Sequence, residues 1–226
     1  MRLIDPSLKY ELVIFDMDGT VLDTLTDLYE AMNYALRAVS ASKKSPKEVR
    51  LAFGNGAEHA VRVCLAGKGD SYGEDTFEKA LAAFKDYYLQ HCNDHTRPYE
   101  GIPALISRLR KKGIKTAIVS NKLDQAVQEL ANLHFPGVFD AYAGERPGIR
   151  RKPAPDTVDA VMRALQTNRT RTVYVGDSEV DLETAKNAGI PSVIVAWGFR
   201  DRAFLERLGA NPIVDTEDEL FRALIL

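Results

Sequence analysis

Four short runs along the chain are continuously apolar and rich in β-branched residues: Leu12 to Phe15, Thr116 to Val119, Val173 to Val175 and Val193 to Ala196. They do not alternate with polar positions, so they predict strands buried on both faces. Between them the pattern turns helical, over Asp124 to Leu133, Asp156 to Leu165 and Asp181 to Ala188. Asp156 gives the second of these an acidic start suited to an N-cap, and Gly189 is a suitable C-cap for the third. Such alternation predicts an α/β fold, a doubly wound parallel sheet with helices on both faces.

From about Asp23 to His95 the alternation stops and the pattern is helical throughout. Thr26 to Val39 is one helix, and Ser45 with Glu48 three positions on forms the capping box of a second. Asp75 to Cys92 sets Phe77, Leu81, Phe84 and Tyr88 on one helical face. The segment reads as an all-helical cap, residues 23–96, inserted into a core formed by residues 1–22 and 97–226. Its hinge points are expected near Leu22 to Thr24 and near Thr96 to Pro98.

Ligands of parallel sheets bind at the carboxyl ends of the strands. Here Asp16 follows the first apolar run, Ser120-Asn121 the second and Gly176-Asp177 the third, so polar groups are expected to converge on one edge. The pair Asp16 and Asp18 in "VIFDMDGT" is on its own equally a turn, because Asp18-Gly19 favours one in any protein. A calcium loop is excluded, since Val21 stands where an EF-hand needs glycine. Asp181 adds a carboxylate, and Lys152 in "RKPAPD" adds a cation on a stretch that Pro153 keeps extended. Carboxylates with a lysine and a hydroxyl fit a magnesium-assisted phosphoryl site. Each residue also has a bland reading: Asp181 as a helix cap, Ser120 as a turn residue, Lys152 as a solvated charge beside Arg150 and Arg151. Three aspartates together at buried strand ends would cost stability unless ligated.

Composition narrows the partners. The 226 residues are 45% hydrophobic, enough for a full core, and the net charge of -2 points to neither nucleic acid nor an anionic membrane. A small soluble substrate fits better. Cys64 and Cys92 lack a C-x-x-C spacing and read as reduced core filler. No apolar run approaches the roughly 18 residues of a membrane span, and "MRLIDPSLKYE" is too charged for a signal peptide, so a cytoplasmic protein is expected.

In this order, "FDMDGTVLDT", "VSNK", "RKPAPD" and "VGDSEVDLETAKNAGIP" resemble the four motifs of the haloacid-dehalogenase-like hydrolase superfamily, over nearly the whole chain. The insertion between the first two resembles that superfamily's helical cap. The resemblance implies that Asp16 is a nucleophile forming an aspartyl-phosphate, and that Asp18 protonates the leaving alcohol and then deprotonates water. It implies Mg²⁺ on Asp16, the backbone carbonyl of Asp18 and Asp177, with Asp181 behind them. Ser120, Asn121 and Lys152 would bind phosphoryl oxygens. An unperturbed aspartate has a pKa of about 3.9, so Asp18 can act as an acid only where burial or nearby negative charge raises it.

Dehalogenases of the superfamily lack the second aspartate, so Asp18 implies phosphoryl transfer. Within the phosphatases, "DGTVLDTLTDLYEAMNYAL" and "RLAFGNGAEHAVRVCLAG" resemble phosphoglycolate phosphatases. The small phosphorylated substrate implied is therefore 2-phosphoglycolate. Asn55 and Gly56 of the Gly-Asn-Gly turn, with His59 or Arg62 nearby, would meet its carboxylate, although the turn is equally a connector between helices. A sugar-phosphate mutase, a pyrophosphatase or nucleotidase, and a catalytically silent regulator are the alternatives. The cap carries no clear mutase signature, and no motif aspartate has been lost. Arg146, Arg150 and Arg151 form a basic loop that is either an electrostatic funnel for an anion or a solvated face.

Overall fold

In the computed structural model, which describes residues 8–66 and 72–226, all four apolar runs are strands. The charged N-terminal stretch 1–7 and cap residues 67–71 lie outside the described residues. In chain order the elements run β1 (Leu12–Phe15), β2 (Leu22–Asp23), α1 (Leu25–Ala38), α2 (Pro46–Ala52), α3 (Gly56–Leu65), α4 (Glu74–His91) and β3 (Arg97–Pro98). They continue with α5 (Ile102–Lys111), β4 (Lys115–Leu123), α6 (Asp124–His134), β5 (Ala141–Glu145), α7 (Asp156–Ala164), β6 (Thr172–Gly176) and α8 (Glu179–Ala188). The last are β7 (Ser192–Val195), α9 (Arg202–Arg207), β8 (Ile213–Val214) and α10 (Glu217–Ile225).

The sheet is parallel and six-stranded, in the order β5-β4-β1-β6-β7-β8. β1 is central and buried on both sides. Val13 and Phe15 pack into the layer formed by α5, α6 and α10, while Leu12 and Ile14 pack against Val158 and Met162 of α7 and Ala185 of α8. Each such fully buried side chain stabilises the fold by roughly 1.5–3 kcal/mol. This two-sided burial is why β1 reads as an unbroken apolar run.

The structure adds two edge strands to the four expected. β5 is Ala-Tyr-Ala-Gly-Glu, without one β-branched residue, and β8 is only two residues long, so neither carries a strand signature. β4 runs on to Leu123, four positions past the expected end, through an irregularity in its pairing with β5 between Val119 and Leu123. Ser120 and Asn121 thus sit within a bulged strand end. Asp156 is not the N-cap of α7: Pro155 holds that position, and the Asp156 carboxylate pairs with Arg150 instead. The segment after Lys152 turns, closed by the Ala154 N–H donating to the Arg151 carbonyl at 3.0 Å, where an extended stretch was expected. Gly189 does cap α8, with φ 64°.

Helices α1 to α4 pack on one another between β2 and β3, and the Ser45–Glu48 capping box opens α2 as the sequence predicts. Phe77, Phe84 and Tyr88 are buried on the inner face of α4, with Leu81 partly buried beside them. Cys64 and Cys92 are buried free thiols. The chain leaves and rejoins the core through a small antiparallel ribbon in which Leu22 faces Pro98 and Asp23 faces Arg97. Asp27 fastens this neck, accepting from the backbone N–H groups of His95 and Thr96 and from the Thr96 hydroxyl. No helix among the described residues is long and apolar enough to cross a membrane.

Candidate active site

The site begins where β1 ends. The Asp16 N–H completes the ladder to the Val175 carbonyl at 2.8 Å, after which the chain folds back so that the Met17 carbonyl accepts from Thr20, Val21 and Leu22. Asp16 Oδ1 accepts from the Met17 N–H at 2.7 Å and pairs with Lys152 Nζ at 3.0 Å, which fixes the plane of the carboxylate. Gly19 lies against Asp177 with φ 78°, and a Cβ there would sit 2.5 Å from Asp177 Oδ2. Any other residue would push that carboxylate aside.

Asp177 and Asp181 arrive from the end of β6 and the first turn of α8. Asp177 accepts from the Thr20 hydroxyl and the Phe199 N–H. Asp181 does two jobs that the sequence offered as alternatives. Its Oδ2 accepts from the N–H groups of Asp177 and Ser178 and from the Ser178 hydroxyl, capping α8, while its Oδ1 holds Lys152 Nζ at 2.8 Å. Lys152 is buried, bridging Asp16 and Asp181, with the Tyr174 hydroxyl as a further partner. It is no solvated charge. Ser120 is 6% exposed and lines the same cavity. Asn121 lines it too, but both side-chain donors are committed, to the Gly54 carbonyl at 3.1 Å and the Lys152 carbonyl at 2.9 Å. Its amide braces two loops and has no hydrogen left for a phosphate.

Asp18 brings in residues that the sequence did not single out. Its Oδ1 accepts from the Thr24 hydroxyl at 2.7 Å and pairs with Lys122 Nζ at 2.9 Å. Lys122 in turn donates to the Tyr88 hydroxyl of α4. A helix of the insertion thereby touches the side chain beside the second aspartate. Lys122 was visible only as the last letter of "VSNK", and the Tyr88 pairing spans 34 residues.

Over these groups the insertion lays a mostly apolar roof of Leu28, Phe53, Ala57 and Phe84, with Gly54 and Gly56 beside it, above a cavity of about 40 Å³. Of the expected cap residues, Gly56 lines the cavity, whereas Asn55 sits at the N-terminus of α3 outside the lining. Arg62 points away, pairing with Glu74 at 2.7 Å and lying on the ring of Phe77. The basic loop is also spoken for: Arg146 pairs with Asp124, Arg150 with Asp156, and Arg151 lies 3.6 Å from Glu58 and 3.8 Å from Glu145.

The Haloacid dehalogenase-like hydrolase family matches residues 13–195, a span that includes Asp16 through Asp181. The chain belongs to this family. The phosphoglycolate phosphatase of Mesorhizobium japonicum is 32% identical over 194 residues, 84% of this chain and 85% of its own. A protein of Caldanaerobacter subterraneus subsp. tengcongensis, provisionally named a pyrophosphatase, is 29% identical over 191 residues, 84% of this chain and 83% of its own. A crystal structure from Lactobacillus delbrueckii subsp. bulgaricus, provisionally described as a phosphoglycolate phosphatase, matches with a TM-score of 0.89 at 40% identity. It covers 96% of this chain and 99% of its own.

In this haloacid dehalogenase-like hydrolase the site carries an excess of negative charge. Four carboxylates, on Asp16, Asp18, Asp177 and Asp181, face the two ammonium groups of Lys122 and Lys152. Burial pushes Asp16 up to about 7 despite Lys152, with Asp181 and Asp18 adding to the rise. Burial likewise pushes Asp177 well above the usual carboxylate range, helped by Asp181 and Asp16. For Lys152 burial works the other way, yet Asp16 and Asp181 outweigh it and hold the ammonium well above its ordinary range. A divalent cation suits this donor set, and carboxylate oxygens of Asp16, Asp177 and Asp181 lie within 4.8 Å of one another. Asp181, with both oxygens already engaged, fits a supporting place better than a direct one.

Proposed function

We propose that this hydrolase is a Mg²⁺-dependent phosphomonoesterase working through an aspartyl-phosphate on Asp16, with 2-phosphoglycolate as the first candidate substrate. The observation that carries the reading is the convergence of Asp16, Asp18, Ser120 and Asp177 on one cavity at the carboxyl edge of the sheet, with Lys152 paired to Asp16 behind its wall. Asp16, the Asp18 carbonyl and Asp177 would hold the cation, which supplies Lewis-acid neutralisation of the carboxylate and phosphoryl charge.

The chain's own groups divide the work. An Asp16 oxygen bonds to phosphorus as the bond from phosphorus to the leaving oxygen breaks, and Asp18 gives that oxygen its proton, releasing the alcohol. Asp18, now a carboxylate, takes a proton from water as the water oxygen attacks phosphorus. The bond between Asp16 and phosphorus breaks, inorganic phosphate leaves, and Asp18 holds the proton for the next turnover. Lys152 and the Ser120 hydroxyl stabilise charge on the phosphoryl oxygens, and Asp181 keeps Lys152 aimed. Thr24 and Lys122 fix the Asp18 carboxylate at the mouth of the neck.

The lining supports an anionic leaving group. Lys122 is the cation that lines the cavity on the side of Asp18, which suits one carboxylate better than the four charges of pyrophosphate. Helices α1 to α4 form a cap that opens at the ribbon of β2 and β3 to admit substrate and closes to exclude water. The test is a metabolite panel with Mg²⁺, setting phosphoglycolate beside pyrophosphate, nucleoside monophosphates and hexose phosphates. The highest kcat/KM is expected for phosphoglycolate. Turnover of none of them would favour a silent regulator, and glucose 6-phosphate formed from β-glucose 1-phosphate would favour a mutase.

A further inference from the structure

The Gly54-Asn55-Gly56 turn that borders the cavity is held by the core through one arginine. Arg200 lies beyond β7, is 6% exposed, and makes a fork to Glu179 at the start of α8, with Nε and Nη2 each 2.7 Å from a carboxylate oxygen. Two further hydrogens cross to the insertion. Nη1 donates to the Arg50 carbonyl at 3.2 Å and Nη2 to the Phe53 carbonyl at 2.9 Å. Those carbonyls belong to the last turn and C-cap of α2, where helical carbonyls lack intrahelical partners and a positive charge is favoured. Gly54, with φ 125°, lies flat on this contact: a Cβ there would sit 3.4 Å from Arg200 Nη2.

We propose that Arg200, held in place by Glu179, is the positioning residue that docks the end of α2 and the Gly54–Gly56 turn onto the core, and so decides how tightly a small substrate is enclosed. The inference rests on the phosphatase reading for its catalytic consequence, and on geometry alone for the docking. Planar donors that reach a carboxylate and two carbonyls at once are a property of arginine that lysine cannot reproduce. An ionic contact across this edge, Arg151 with Glu58, is longer at 3.6 Å and lies at the solvent, where such pairs hold little. A small acid, which cannot fill an open cleft, depends on this closure. An aryl phosphate, whose ring props the roof and whose leaving group needs little help, does not.

The experiment compares wild type, Arg200→Ala, Arg200→Lys and the exposed control Arg202→Ala, with Mg²⁺, on phosphoglycolate and p-nitrophenyl phosphate, together with amide hydrogen exchange of segment 53–57. Both Arg200 variants are expected to lose on the order of ten-fold or more in kcat/KM on phosphoglycolate and less than about three-fold on the aryl ester, as lid contacts do. Exchange in 53–57 is expected to quicken while that of β1 stays unchanged, and Arg202→Ala is expected to match wild type throughout. Equal losses on both esters, or unchanged exchange in 53–57, would overturn the proposal. Should wild type hydrolyse neither ester, the phosphatase reading fails by itself, and the exchange data still decide whether Arg200 docks the turn.

Discussion

The carboxyl edge of the sheet and the underside of the helical insertion face each other across a few ångströms and are built on opposite principles. The edge crowds buried ionic groups together, each tied to a neighbour: Lys152 to Asp16 and Asp181, Lys122 to Asp18, Asp177 to Thr20 and the Phe199 N–H. The underside is Leu28, Phe53, Ala57 and Phe84, with Tyr88 as its polar tip. A reaction that moves charge needs dipoles held before the charge arrives, and the paired groups at the sheet edge are held in that way. Exclusion of water needs apolar surface that can come and go. Chemistry is therefore expected to follow the edge, and substrate choice the underside.

Substitutions separate the two regions, beginning with the largest effect. Asp16→Asn is expected to lower kcat by about 10⁴-fold or more on every ester, as removal of a nucleophile does, while KM changes little. The same change removes a carboxyl that burial holds at about 7, so the metal-free variant is expected to melt above wild type at neutral pH in calorimetry. Lys152→Met is next: a loss of about 10²- to 10³-fold in kcat. Because it leaves Asp16 and Asp181 without their cation, it also costs stability of about 3–5 kcal/mol, read by urea titration.

Phe84→Ala carries the comparison to the roof. Its ring is 1% exposed and stacks on Tyr88 with centroids 5.5 Å apart, so truncation is expected to cost about 3–5 kcal/mol of stability. In activity the expected change is selective, a fall for phosphoglycolate and a rise for bulkier esters. A uniform fall would place chemistry in the cap and break the distinction. The smallest effect is that of pH and metal on stability. Asp16 binds its proton more tightly in the folded chain, with a pKa of about 7, than at its ordinary 3.8. Metal-free stability is therefore expected to decline as pH rises between those values. Mg²⁺ at a hundred times its dissociation constant is expected to add about 2.7 kcal/mol at pH 7. Thermal melts with Mg²⁺ and with chelator across that range provide the measurement.

The two regions also differ in how much of them a reader of the sequence could see. Asp16 and Ser120 follow an apolar run directly and Asp177 follows one after a single glycine, so locating the strands located the carboxyl edge. Lys122 and Arg200 follow such runs at a slightly greater distance, and their importance depends on partners in the insertion: Tyr88 for one, the Arg50 and Phe53 carbonyls for the other. Nothing local marks those pairings. Arg62 shows the opposite failure. It lies close to the Gly-Asn-Gly turn in sequence, but its position on α3 turns it outward onto Phe77 and Glu74. β5 carries no sequence signal because packing, and not β-propensity, makes its Ala-Tyr-Ala-Gly-Glu a strand at the sheet edge.

The central claim is that phosphorus passes through Asp16. Enzyme turning over phosphoglycolate with Mg²⁺ can be quenched in acid and reduced with borohydride, which converts an acyl phosphate to an alcohol and would leave homoserine at position 16. Peptide mass spectrometry is expected to find homoserine there and at no other aspartate, and to find none in Asp16→Asn. Homoserine at Asp18 or Asp177, or rapid turnover with position 16 unmodified, would contradict the mechanism.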